Sequence, residues 1–127
     1  MNIVALIMST ALSMGMDPML VLSVASVESN LDAKKIGGIG EVGLMQIRPE
    51  YSKLTKAQLL NPKYNLQEGI RKLKEARARC KHQVDNTWLV CYNYGIAGGS
   101  RVKHPKLFPY YKKIKETYGT LAMDGKK

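Results

Sequence analysis

Residues 18–31, PMLVLSVASVESNL, carry a single charge, and the place of that charge decides how the chain is read. At about 100° per residue, a helix through this stretch puts Val21, Val24, Ala25 and Glu28 on one stripe and gathers Ser23, Ser26 and Ser29 on the opposite arc. Glu28 therefore lies among apolar side chains. An unpaired carboxylate is costly to bury, so such a group keeps its proton, finds a partner or is put to use. A carboxyl with a raised pKa is the form a general acid takes near neutral pH. A buried glutamate satisfied by an arginine, a tyrosine or a backbone amide fits the same stripe.

Outward from this helix the pattern is helical throughout, because apolar spacings of three and four recur and no segment alternates. Asp17 is placed to cap the helix, Pro18 falls in its first turn, and its end lies near Asn30. A first helix covers about residues 2–14 and stops near Gly15. After Asn30, the glycines 37, 38, 40 and 43 exclude regular helix and predict a loop or short hairpin, open to close approach by a ligand or simply a flexible connection. Gly43 to Ile47 reads as the start of a short helical stretch ending before Pro49, and Ser52 to Leu60 as another turn or two. Asn65 and Glu68 are spaced as a capping pair ahead of a buried stripe, Leu66, Ile70, Leu73, Ala76 and Cys80, on a helix reaching about His82. Asn86 opens a helix holding Trp88, Leu89 and Tyr92, which glycines 95, 98 and 99 end. A loop then leads to Pro105 and to a last amphipathic helix around Tyr110 to Tyr118, with a frayed tail from Leu121.

With 127 residues and 45% hydrophobic composition the chain fits one globular domain. Its 20 Lys and Arg against 10 Asp and Glu give a net charge of +10, which points to a polyanionic partner such as nucleic acid, anionic lipid, lipopolysaccharide or cell wall. The basic residues concentrate after residue 50, notably from Arg71 to Lys81 and from Arg101 to Lys115, where runs of this kind also serve as plain solvated helix faces. Cys80 and Cys91 are too few for a disulfide framework and lack metal-site companions; one bridge closing a short loop or two free core thiols remain, and free thiols are expected. His82 and His104 read as isolated and exposed. Met1 to Met16 is uncharged but has no basic leader and no small-residue cleavage site, and it is short for a spanning helix. It is read as a core helix, with neither a recognisable signal peptide nor stable membrane insertion.

Four separated pieces follow in order: Glu28-Ser29 at a helix end, Gly43-Leu44-Met45-Gln46 after a glycine-rich loop, Asn61-Pro62 with Asn65 before a long helix, and Tyr92-Asn93-Tyr94-Gly95. Together, with 18 residues from the glutamate to the glutamine, they resemble the soluble lytic transglycosylase (SLT) domain over residues 15–115. The resemblance implies a mainly α, lysozyme-like single domain of six to eight helices with a glycine-rich loop or small hairpin beside a cleft. It implies that Glu28 is the one catalytic acid and base and that Ser29 helps anchor the helix end. Met45 and Gln46 would line the saccharide cleft, Tyr92 would hydrogen-bond or crowd the carboxyl, Asn93 would support the floor, and Tyr110 is similar to a tyrosine of the closing helix. Departures are Ile36-Gly37-Gly38 where many members carry a serine, Glu41 for a small residue, Arg48 for an apolar one, often methionine, and Cys91 and Tyr94 for alanines.

The chemistry implied is cleavage of peptidoglycan between N-acetylmuramic acid and N-acetylglucosamine with formation of a 1,6-anhydro end, without metal or organic cofactor. Partners implied are the glycan strands and the anionic envelope, acted on from the periplasm or cell wall by a monomer, and small size with high positive charge suggests a bacteriophage lysis enzyme or virion component. Asp32, Glu41 and Glu50 are the candidates for a second carboxylate, none in the apolar setting of Glu28, and the nearest rival is a goose-type lysozyme, in which Glu41 or Asp32 would deliver water. A non-catalytic wall-binding protein of the same fold is another. A nucleic-acid binder rests on charge alone, since no motif or aromatic stacking platform for nucleic acid is present.

Overall fold

The structure, a computed structural model, describes residues 2–124. It is built from seven helices among the described residues: α1 (Ile3–Ser13), α2 (Pro18–Ser29), α3 (Lys56–Leu59), α4 (Pro62–Arg79), α5 (Leu89–Tyr94), α6 (Ile96–Ser100) and α7 (Pro109–Asp124). No helix among them is long and apolar enough to cross a membrane. The arrangement is a mainly α, lysozyme-like domain. α7 is helical through Asp124, and the rest of the expected frayed tail, 125–127, lies outside the described residues.

α2 is the central element, packed between α1 and α7. The Asp17 side chain accepts from the Met19 N–H at 2.9 Å and Pro18 stands in the first turn, as the sequence predicts. Val21, Val24 and Ala25 are fully buried, and so are Ser23 and Ser29 on the other arc, because the helix is enclosed on nearly all sides. Each of these two hydroxyls is satisfied within the helix, Ser23 donating to the Met19 carbonyl at 2.7 Å and Ser29 to the Ala25 carbonyl at 3.0 Å. α7 runs antiparallel to α2 and is tied to both its ends: Tyr118 donates to Asp17 at 2.7 Å and Tyr110 to Glu28 at 2.8 Å.

Asn65 does not cap α4. Asn61 does, its side chain accepting from Lys63 and Tyr64, with Pro62 at the first position. Asn65 is instead fully buried inside the helix and reaches across to the glycine-rich loop: it accepts from the Met45 N–H at 2.8 Å and donates to the carbonyls of Val42 at 2.7 Å and Leu59 at 2.9 Å. Those contacts hold Gly43 to Ile47 as a tight turn closed by paired Val42 and Ile47 backbone bonds, not as the helical stretch the sequence suggested. Gly43 has φ +77°, and a Cβ there would stand 2.4 Å from the Asn65 amide nitrogen. Glycine is required on both counts. A second small hairpin contact pairs Ile36 with Val42.

Cys80 and Cys91 form a disulfide, with Cα atoms 5.9 Å apart, so the expectation of free thiols is corrected. The turn at Val84–Asn86 carries two consecutive left-handed residues, Asp85 and Asn86, and folds the chain back so that α5 returns to the end of α4. Sequence spacing alone does not reveal that reversal. Further differences are small: α4 ends at Arg79 rather than His82, α5 begins at Leu89 rather than Asn86, and glycines 98 and 99 sit within α6, in what was read as loop. His104 is exposed as read, whereas His82 is half-buried and its Nε2 is enclosed without a partner.

Closing a loop of this length with a disulfide contributes about 3 kcal/mol. The Cys80→Ser/Cys91→Ser variant is expected to lose about that much in urea unfolding, and the parental chain to lose it in reductant; equal stability in both tests would mean that the bridge contributes nothing. Asn65→Ala leaves the Met45 N–H and the Leu59 carbonyl without their partner, while the Val42 carbonyl keeps its bond from Ile47, and its expected cost is about 3 kcal/mol. Chemical denaturation of that variant measures it, and a loss below about 1 kcal/mol would show that the loop holds itself.

Candidate active site

The end of α2 delivers Glu28 to a cleft of about 710 Å³. Immediately after it, Asn30 and Leu31 both take left-handed backbone conformations, which turn the chain sharply into the glycine-rich loop. For leucine that conformation carries strain, and it sits next to the site. The loop returns Glu41 and Gln46 to the same cleft, and α5 supplies Tyr92, Asn93 and Tyr94 from the opposite wall. Arg48, Tyr51, Lys72 and Glu75 extend the lining.

Glu28 is mostly enclosed, and burial pushes its carboxyl up from 4.5 to about 7. The Tyr110 hydroxyl, donating to Oε2 at 2.8 Å, favours the ionised form and holds the rise in check; the Glu41 carboxylate raises it further and the Lys35 ammonium lowers it. Lys35 spends one of its protons on the Glu28 backbone carbonyl at 3.0 Å. Tyr110 itself is pushed well above its usual range by burial and by the neighbouring Glu28, so it stays a donor at every physiological pH.

The residues singled out from sequence divide between cleft and core. Glu28, Gln46, Tyr92 and Asn93 line the cleft together. Gln46 sits at φ +50° with its amide donating to the carbonyls of Gly43 at 2.9 Å and Lys35 at 3.2 Å, which fixes the loop's shape beside the acid. Met45 is fully buried against Gly69 of α4, where a Cβ would come within 2.5 Å of its side chain, so it does not line the cleft. Its carbonyl accepts from the Tyr92 hydroxyl at 3.1 Å. Tyr92 therefore bridges α5 to the loop, and Tyr110 is the tyrosine bonded to the carboxyl. Ser29 faces the core.

Of the three groups considered as a second carboxylate beside Glu28, only Glu41 lines the cleft, accepting from the Ile39 N–H at 2.9 Å, whereas Glu50 lies outside the lining. Asp32 is spent on a turn, accepting from the Lys34 N–H at 2.9 Å, and is not part of the lining. Tyr51, Lys72 and Glu75 were not picked out from sequence as site residues; none stands in a motif, and only the packing of α4 against the turn at Pro49–Tyr51 brings them to the cleft.

The family model of the transglycosylase SLT domain matches residues 5–116, nearly the whole described chain and all four of the motif pieces. The glutamate at the end of a buried helix, the Gly-Leu-Met-Gln turn pinned beside it and the tyrosines around them thus fall within one family pattern, and the chain belongs to the transglycosylase SLT domain family, which implies peptidoglycan as its substrate and the cell wall as its place of action.

Proposed function

We propose that the protein is a peptidoglycan lytic transglycosylase in which Glu28 acts first as acid and then as base. The observation that carries the reading is a carboxyl still about half protonated near neutral pH at the wall of the cleft, bonded to a tyrosine that remains a donor. Protonated Glu28 gives its proton to the oxygen between C1 of N-acetylmuramic acid and the next N-acetylglucosamine, and the C1–O bond breaks. The sugar's own 2-acetamido oxygen stabilises C1. The Glu28 carboxylate then takes the proton of the C6 hydroxyl as that oxygen bonds to C1, which restores the acid and closes a 1,6-anhydro ring. No water is consumed. The Cys80–Cys91 bridge supports action outside the reducing cytoplasm, in periplasm or wall.

Hydrolysis is the second reading, favoured by one observation: Glu41 lines the same cleft. Glycosidases with two flanking carboxyls deliver water or a covalent intermediate from the second. Mass spectrometry of digested sacculi separates the two, since an anhydro end is about 18 Da lighter than a hydrolysed reducing end. Anhydro ends are expected to dominate, and Glu28→Gln is expected to lower their formation by at least ~10²-fold while the chain stays folded. Reducing ends as the main product would transfer the role of base to Glu41.

The pH profile tests the part played by Tyr110. Because the protonated form of Glu28 starts the reaction, cleavage should fall on the alkaline side with a midpoint near 7. Tyr110→Phe removes a donor that favours the carboxylate, so Glu28 holds its proton longer and the midpoint should move to higher pH. An unchanged or lower midpoint would mean that Tyr110 does not act on the carboxyl.

A further inference from the structure

A second cavity, of about 460 Å³, lies between the loop that follows α4 and the loop that precedes α7, and it shares no lining residue with the cleft. Lys81 comes from the first loop, Lys103 and Lys106 from the second, with His82 and His104 beside them and no carboxylate in the lining. Lys106 is paired with Asp85 at 2.7 Å, whereas Lys81 and Lys103 have no carboxylate partner among the described residues. Two lysines of the lining therefore lack a counter-charge from the protein.

The frame around them is fixed. The Lys81 N–H donates to the Ser100 hydroxyl at 3.0 Å, and the Gln83 amide donates to the carbonyls of Arg77 at 2.8 Å and Cys80 at 2.9 Å. From α7 the Tyr111 hydroxyl donates to the Asp85 carbonyl at 2.6 Å. Together with the disulfide at Cys80, these bonds hold the walls before any ligand arrives, which lowers the cost of binding one.

The apolar part of the lining narrows the kind of ligand. Val84 and Leu107, one from each loop, are 67% and 66% exposed and stand among these lysines. The lining holds no Phe, Tyr, Trp or Arg, the side chains on which nucleic-acid bases chiefly stack. Exposed aliphatic side chains set among lysines fit instead an anionic amphiphile, whose phosphate meets the ammonium groups while its acyl region takes the side chains.

We propose that this cavity and its apolar rim form a docking surface for an anionic membrane, Lys81 and Lys103 taking a lipid phosphate while Val84 and Leu107 enter the boundary between headgroups and acyl chains. Contact of this kind lies on the membrane and leaves the lining of the cleft free. It does not depend on what Glu28 does.

Cosedimentation with vesicles of equal parts phosphatidylglycerol and phosphatidylcholine reads the surface directly, at about 0.1 M salt, where the Debye length is about 10 Å. The parental chain should bind these vesicles, and bind pure phosphatidylcholine vesicles about 10-fold more weakly or less. Lys81→Gln/Lys103→Gln should weaken binding about 5-fold for each charge removed. Val84→Ser/Leu107→Ser, at two exposed positions, should weaken it about 10-fold with the charge intact. Lys53→Gln/Lys56→Gln removes the same charge beside the start of α4, whose 18 residues span roughly 27 Å between there and the cavity. Its loss should stay below about 2-fold, because screening confines each charge to its own surroundings. Equal binding of both vesicle types, or a loss in the Lys53/Lys56 variant as large as in the Lys81/Lys103 variant, overturns the surface. So does a serine variant that binds vesicles as the parent does; binding of soluble poly(glycerol phosphate) with the same lysine dependence would then assign the cavity to phosphate polymers instead of a membrane.

Discussion

Asn65 is the one fully buried side-chain amide among the described residues, and its three hydrogen bonds join helix α4 to the turn that carries Gln46. The Met45 N–H and the Leu59 carbonyl depend on Asn65, at a cost of about 1–3 kcal/mol apiece when left unpaired, while the Val42 carbonyl also accepts from the Ile47 N–H. Much else follows from that junction. Gly43 must lack a side chain because the amide occupies its space. Met45 is driven against Gly69, its carbonyl is presented to Tyr92, and α5 is thereby fixed opposite Glu28. A polar network buried this completely specifies one loop conformation, since any other leaves its members unpaired.

The same economy works against stability at Glu28. Its folded pKa of about 7 lies above the value of 4.5 for an exposed glutamate. Between those two values the folded chain holds a proton that the unfolded chain has released, so the contribution of Glu28 to stability is fully present below pH 4.5 and declines as pH rises toward 7. Across that window the decline amounts to at most about 3 kcal/mol. Tyr110 limits the loss by favouring the carboxylate, while leaving the carboxyl half-protonated near neutrality. The group is placed where it can give and retrieve a proton, at the expense of the fold that holds it.

What could be read from the sequence was the part governed by short-range rules. The stripe of Val21, Val24, Ala25 and Glu28, the Asp17-Pro18 start and the ordered motif pieces led directly to α2, its capped start and the family. Where long-range contacts decide, local rules gave the wrong answer. Asn65 and Glu68 have the spacing of a capping box, but Asn61 with Pro62 is the stronger start, which puts Asn65 one turn inside the helix and free to bond across to the loop. Gly43 to Ile47 has helical spacing of its apolar residues, yet left-handed backbone at Gly43 and Gln46 makes it a turn. Tyr92 and Tyr110 were both tied to the site; only the packing of α7 on α2 determines which one touches the acid.

The disulfide has a further consequence for how the cleft is held. Cys91 itself lines the cleft and immediately precedes Tyr92, Asn93 and Tyr94, while Cys80 follows the last turn of α4. α4 also bears Asn65 near its start and Lys72 near its middle. Both walls of the cleft are therefore anchored on one helix, the loop wall through Asn65 and the α5 wall through the bridge. A rigid helix used as the common reference keeps the distance between the walls constant, and in the proposed reaction a saccharide chain held between them would meet Glu28 at a fixed height. The proposed acid catalysis by a single carboxyl would demand that constancy, because the same atom would have to reach the bridging oxygen and then the C6 hydroxyl without being repositioned.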